Sequence, residues 1–141
     1  MAREYSVRLP THSVGVLEWG PPDGELVVAL HGFPDTAWTW RTVAPLLGAA
    51  GYRVAAPFLR GYAPSGIPDD ENYSVRALAD DAIALHARLG GTESTVLIGH
   101  DWGAITANAL GAHPDSPFGR IVSLAVPPLD AMPRRVDSAS D

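Results

Sequence analysis

No cysteine occurs in the 141 residues, which removes disulfides and thiolate metal ligands from the possible chemistries. Positive charge is scarce as well. Lys and Arg number 10 against 16 acidic residues, for a net charge of −6, and the pI lies near 5.2. Apart from Arg134-Arg135 the basic residues are scattered, so no electrostatic footprint for nucleic acid exists. Long hydrophobic runs are missing too, and Met1-Ala2-Arg3-Glu4 leads into no apolar signal segment. The expectation is a soluble, cytoplasmic protein with no membrane partner. Neither a P-loop nor a dinucleotide glycine pattern is present, and no His-x-x-x-His pair supports a metal, so no cofactor and no metal are expected.

What the chain does have is a pair of strand-to-turn junctions. In Val96-Leu97-Ile98-Gly99-His100-Asp101-Trp102-Gly103-Ala104 an apolar run reads as the end of a buried strand, and the residues after it read as a helix. Gly99 and Gly103 flank Asp101 two residues away on each side. A side chain carried on a tight strand-to-helix turn needs neighbours without bulk, because backbone and helix approach closely there. An aspartate before a helix can also serve simply as its N-cap. The second junction ends the apolar run Glu25-Leu26-Val27-Val28-Ala29-Leu30, suited to a buried parallel strand, in His31-Gly32-Phe33-Pro34.

With both motifs in this order, the chain resembles the α/β-hydrolase family in its epoxide-hydrolase-like branch, where aspartate replaces serine at the nucleophile elbow. The resemblance implies that Asp101 is the nucleophile and that the backbone N–H groups of Phe33 and Trp102 form the oxyanion hole. His31, Gly32, Pro34, Gly99, His100 and Gly103 would then be structural at the site. Chemistry agrees with the substitution. A carboxylate can attack sp³ carbon, opening an epoxide or displacing a halide, and the resulting alkyl ester can be cleared by water, whereas an ether left on serine would resist hydrolysis. Haloalkane dehalogenases of the family usually have asparagine after His-Gly, where this chain has Phe33. Fluoroacetate dehalogenases have arginine after the nucleophile, where this chain has Trp102. The expected substrate is therefore a small apolar molecule such as an epoxide.

The remaining elements follow the family order. Tyr5 to Leu9 and Val14 to Trp19 alternate as a peripheral hairpin. Thr42 is expected to cap a short helix with Pro45 in its first turn. Tyr52 to Ala56 reads as a strand. Arg60-Gly61-Tyr62-Ala63-Pro64-Ser65 resembles the family's Arg-Gly-Tyr-Gly-x-Ser loop, with Phe58 in place of an aspartate and Ala63 in place of a glycine; Tyr62 and Tyr73 are expected to be structural there. Ser74 caps a helix whose Val75, Leu78, Ala82, Leu85 and Leu89 recur at helical spacing, and Gly90-Gly91 stop it. The order expected is β-β-β-α-β-α-β-α-β.

Length sets a conflict, because a complete hydrolase of this family with its lid is roughly twice as long. The resemblance covers the N-terminal half of the family fold, a mostly parallel sheet with flanking helices that lacks the lid and the C-terminal strands. Residues 1 to 128 are expected as a partial hydrolase domain and 129 to 141 as a disordered tail. The family's base histidine follows its last strand, and His12, His31, His86, His100 and His113 all precede that point. Asp130 is the one nearby candidate for the acid that orients such a base. The chain alone is thus expected to lack the water-activating apparatus, with an open sheet edge after Ile121 to Val126 that a complementing chain or self-association would cover. A catalytically inactive fragment or scaffold subunit pairing through that edge is the alternative.

Overall fold

The computed structural model describes residues 1–128 and 130. Strands β1 (Arg3–Arg8) and β2 (Ser13–Trp19) form an antiparallel hairpin. β3 (Glu25–Leu30) leads through a 3-10 turn (Ala37–Arg41) into helix α1 (Val43–Ala49). β4 (Tyr52–Pro57), α2 (Val75–Arg88), β5 (Val96–His100), α3 (Trp102–Gly111) and β6 (Arg120–Leu124) complete the order. The sheet runs β1-β2-β4-β3-β5-β6, with β3, β4, β5 and β6 parallel and β2 antiparallel to β4. The expected alternation of strands and helices is met.

β3 is apolar from Leu26 to Leu30 because both of its faces are covered there. Leu26, Val28 and Leu30 point into one core with Ala82 and Leu85 of α2 and Ala107 and Leu110 of α3. Val27 and Ala29 point into a second core with Ala37, Trp40 and Ala44 from the 3-10 turn and α1. The helical stripe read from α2 is thus core, and Gly90, at φ +72°, ends that helix in a conformation costly for other residues.

One cap differs from expectation. Thr42 precedes α1 with helical backbone angles and makes no side-chain cap bond. Thr36 does the capping one turn earlier, its Oγ1 accepting from Trp38 N at 3.3 Å, because the chain first winds as a 3-10 turn and runs straight on into α1. The β4–α2 loop closes without the aspartate and glycine of the family pattern. Phe58 is buried in the second core, and its carbonyl accepts from Ser65 Oγ at 2.6 Å. Arg60, 4% exposed, donates to both carboxylate oxygens of Asp81 at 2.7 Å and to Asp70 at 3.2 Å, which pins the loop to α2.

Among the described residues β6 is a sheet edge, and its Val122 and Leu124 are 41% and 42% exposed. They lie on the face opposite Ile121, which packs into the α2/α3 core. The expected tail falls outside the described residues except for Asp130, which is exposed.

Candidate active site

The register of β3 against β5 brings two distant turns together. Leu30 pairs with Gly99, so the residues following each strand emerge side by side at the C-terminal edge of the parallel sheet. That edge is where open α/β sheets bind ligands, since loops and helix N-termini converge on it. Asp101 occupies the turn with φ 56° and ψ −119°, a left-handed conformation that costs a non-glycine residue free energy. The neighbouring glycines make the turn possible by close approach. A Cβ on Gly99 would run into the carbonyl of Gly103, and one on Gly103 into the carbonyl of Leu30. Gly32 is constrained from the other side, since a Cβ there would meet the Asp101 side chain, with Cγ at 2.7 Å.

Held this way, Asp101 Oδ2 accepts from Phe33 N at 3.0 Å and from Trp102 N at 2.7 Å. Among the described residues nothing hydrogen-bonds Oδ1. The two amides, Phe33 first, hold the carboxyl below the usual carboxylate range, so it is ionised at neutral pH. The bond to Trp102 N also caps α3, so the capping geometry and the two-amide cradle coexist on one oxygen. Chemically, the arrangement presents one bound oxygen, one free oxygen and two donors on the bound one.

His31 braces the turn from beneath. It is fully buried; Nδ1 lies 2.9 Å from the Gly32 carbonyl and Nε2 accepts from Leu59 N at 3.0 Å, which assigns the proton to Nδ1. Burial pushes its pKa down and keeps it neutral. The ring stacks edge-to-face on Tyr62 with centroids 4.8 Å apart. Burial and the nearby Asp101 charge push the Tyr62 phenol up, so it too is neutral. Pro34 is exposed, His100 is half-buried at the end of β5, and the side chains of Phe33 and Trp102 stand 67% and 44% exposed beside the carboxylate.

The other histidines are occupied elsewhere. His12 is buried, with Nδ1 2.9 Å from Thr11 Oγ1 and Nε2 3.8 Å from Asp81. His86 Nε2 lies 3.0 Å from the Thr92 carbonyl, and His113 Nδ1 accepts from Asp115 N. Asp130 makes no bond to any of them among the described residues. No group of three His, Asp or Glu side chains converges as a metal site among these residues, and no described helix is long and apolar enough to cross a membrane. Sequence reasoning missed the proximity of Tyr62 to Asp101. The Arg60-Gly61-Tyr62 motif was visible, but only the packing of the loop onto His31 reveals what the ring touches.

Comparison with known proteins identifies the fold family. The family model of the alpha/beta hydrolase fold matches residues 25–139. Epoxide hydrolase A of Mycobacterium tuberculosis is 40% identical over 121 residues, covering 84% of this chain and 36% of that protein. A fluoroacetate dehalogenase of Burkholderia sp is 44% identical over 118 residues, covering 80% and 36%. The crystal structure of epoxide hydrolase A from Mycobacterium thermoresistibile superposes with a TM-score of 0.84 at 35% identity, covering 92% of this chain and 40% of that one. The chain therefore spans little more than a third of the length of the curated relatives it matches, and it belongs to the α/β-hydrolase fold family, in the epoxide-hydrolase-like branch.

Proposed function

We propose that residues 1 to 128 are the part of a hydrolase domain that forms the covalent intermediate on a small apolar epoxide. In this reading the unbonded Oδ1 of Asp101 attacks an epoxide carbon. The C–Oδ1 bond forms, the ring C–O bond breaks, and the ring oxygen takes up a proton from water, leaving a hydroxyalkyl ester and hydroxide. Oδ2 remains as the ester carbonyl oxygen. Water then adds to Cγ, the developing negative charge falls on Oδ2 between the Phe33 and Trp102 amides, and collapse releases the diol with Oδ1. The observation that carries the reading is this division of labour within one carboxylate, with Oδ2 bound by two backbone donors and Oδ1 unbonded among the described residues.

Activating that water requires a histidine base oriented by an acid. The described histidines are engaged away from Asp101 or flank it in the chain, so we assign the base to polypeptide outside this sequence, continuous or separate, and keep Asp130 as the candidate within it for the acid. Trp102 at the position after the nucleophile favours an epoxide over a fluoroacetate-type anion, because an indole supplies no charge to bind a carboxylate. The two epoxide hydrolases among the relatives carry names that point the same way, and the fluoroacetate dehalogenase carries one that does not.

Incubation of the chain with styrene oxide followed by intact-mass and peptide mass spectrometry tests the proposal. One adduct of the epoxide's mass on Asp101 is expected, absent from Asp101→Asn, whose amide keeps a similar shape and tolerates the left-handed turn. Alkylation elsewhere, or equal alkylation of the asparagine variant, would overturn it.

A further inference from the structure

On the far side of β5 from β3, the exit of β6 forms a second turn like the one that carries Asp101. His100 pairs with Leu124, so Asp101 and Ala125 are the next residues of neighbouring parallel strands and their turns leave the sheet side by side. Both have left-handed backbones, Asp101 at φ 56° and Ala125 at φ 67°. One side chain brackets the Ala125 corner. Asn108 of α3 accepts from Ser123 Oγ at 2.5 Å and donates through Nδ2 to the Val126 carbonyl at 3.2 Å. We infer that Asn108 is a positioning residue for the proposed alkylation, holding the Ala125 corner as the wall of the site opposite Phe33. The inference rests on the proposed function and adds to it the residue that fixes the nucleophile's second flank.

Topology, strain and donor chemistry support it. β5 lies between β3 and β6 in the sheet. The β3 exit supplies the Phe33 amide that binds Asp101 Oδ2, which leaves the β6 exit as the backbone bordering the carboxylate on its other flank. A non-glycine residue keeps a positive φ only where its surroundings over-determine it, and among the described residues no side chain but that of Asn108 reaches across to residues 123–126. The orientation of the Asn108 amide is unambiguous. The Val126 carbonyl can only accept, so Nδ2 must face it, which leaves the Asn108 oxygen for the Ser123 hydroxyl. A carboxamide meets both demands on one planar group; aspartate would only accept, and leucine would do neither. The same helix carries the Trp102 amide at its N-terminus, six residues and about 9 Å along the axis from Asn108. The Trp102 donor and the β6 corner are thereby referenced to one rigid element.

The test reads the corner and the chemistry separately. The corner is followed by the NMR shift of the Ala125 methyl carbon, which reports its φ. Asn108→Leu is expected to move that signal toward the extended value. The same variant is expected to lower the rate of Asp101 alkylation by styrene oxide about ten-fold and to change the share of ester formed at each of the two ring carbons. Ser123→Ala deletes one hydroxyl from a half-buried strand position and keeps the bond to Val126, so it is expected to act in the same direction by about three-fold and to carry the test if Asn108→Leu does not fold by circular dichroism. The share between the two carbons is the readout that a merely structural clamp would leave alone. An unmoved Ala125 signal would overturn the inference, as would a moved signal with the rate within about two-fold of native and the share unchanged. In either case the nucleophile still stands. No adduct on Asp101 in the native chain would instead sink the proposed chemistry and the positioning role with it, while the Ala125 signal still decides what holds the corner.

Discussion

Gly32→Ala isolates the contact on which the site geometry depends. Gly32 has no positive φ, so alanine meets no intrinsic backbone penalty there, and the effect must come from space alone. The added Cβ would lie 2.7 Å from Asp101 Cγ and closer still to its Cβ and Oδ2. Because Asp101 Cβ is fixed to the elbow backbone, side-chain rotation does not relieve the clash; the two turns must separate by roughly 1 Å. A shift of that size moves Phe33 N beyond hydrogen-bond range of Oδ2 and misplaces the nucleophile, which costs ~100-fold in rate. Ester hydrolysis in a complete enzyme would lose a further ~10²–10³-fold from one missing oxyanion donor. Overpacking would destabilise the fold by about 1–3 kcal/mol, a modest drop in Tm. Losing the Phe33 bond, the largest influence holding the carboxyl pKa down, should also move the low-pH midpoint of the alkylation rate upward. The assay is the pseudo-first-order rate of Asp101 alkylation by styrene oxide across pH, with thermal melts in parallel. Alkylation of the variant within about three-fold of the native rate, with the midpoint unmoved, would refute the claimed coupling between the two turns.

Further outcomes follow from the surrounding network. Arg60→Leu leaves the half-buried Asp81 without its cation, with the exposed Asp70 losing its partner as well; a loss of about 3 kcal/mol is expected, seen as a Tm fall of roughly 10 °C by calorimetry. Stability should also decline as pH drops below the ordinary histidine range near ~6.5. Burial lowers the folded pKa of both His31 and His12, so the unfolded chain binds protons first and gains on the folded one as pH falls; chemical denaturation at pH 7.5 and pH 5.5 measures it. In His31→Gln the slope between those two pH values should shrink.

Much of this turn is legible in the sequence. The spacing of Gly99, Asp101 and Gly103 carries its meaning locally, because a turn this tight excludes Cβ atoms at both glycines whatever surrounds it. The apolar runs of β3 and β5 and the stripe of α2 are local signals too, set by the period at which side chains repeat on strand and helix. The position of Thr36 rather than Thr42 as cap was not legible, since both threonines are competent caps and the choice depends on how the chain leaves the His31 turn. Nor was the burial of His12 next to Asp81, or the link from Arg60 to α2. Each joins segments from different parts of the chain, and composition says nothing about which partners meet.

What the chain's order of residues determined unaided is therefore the presence of a carboxylate on a glycine-flanked turn and the elements on either side of it. Tertiary structure alone decided that this carboxylate meets an amide 68 positions away in sequence, that one of its oxygens is bound while the other stays unbonded among the described residues, and that Tyr62, Tyr73 and Trp102 wall a cleft beside it. The physical reason is register. The pairing of Leu30 with Gly99 sets how far each strand runs before its turn begins, and a shift of one residue would face the other side of the sheet and leave the two turns apart.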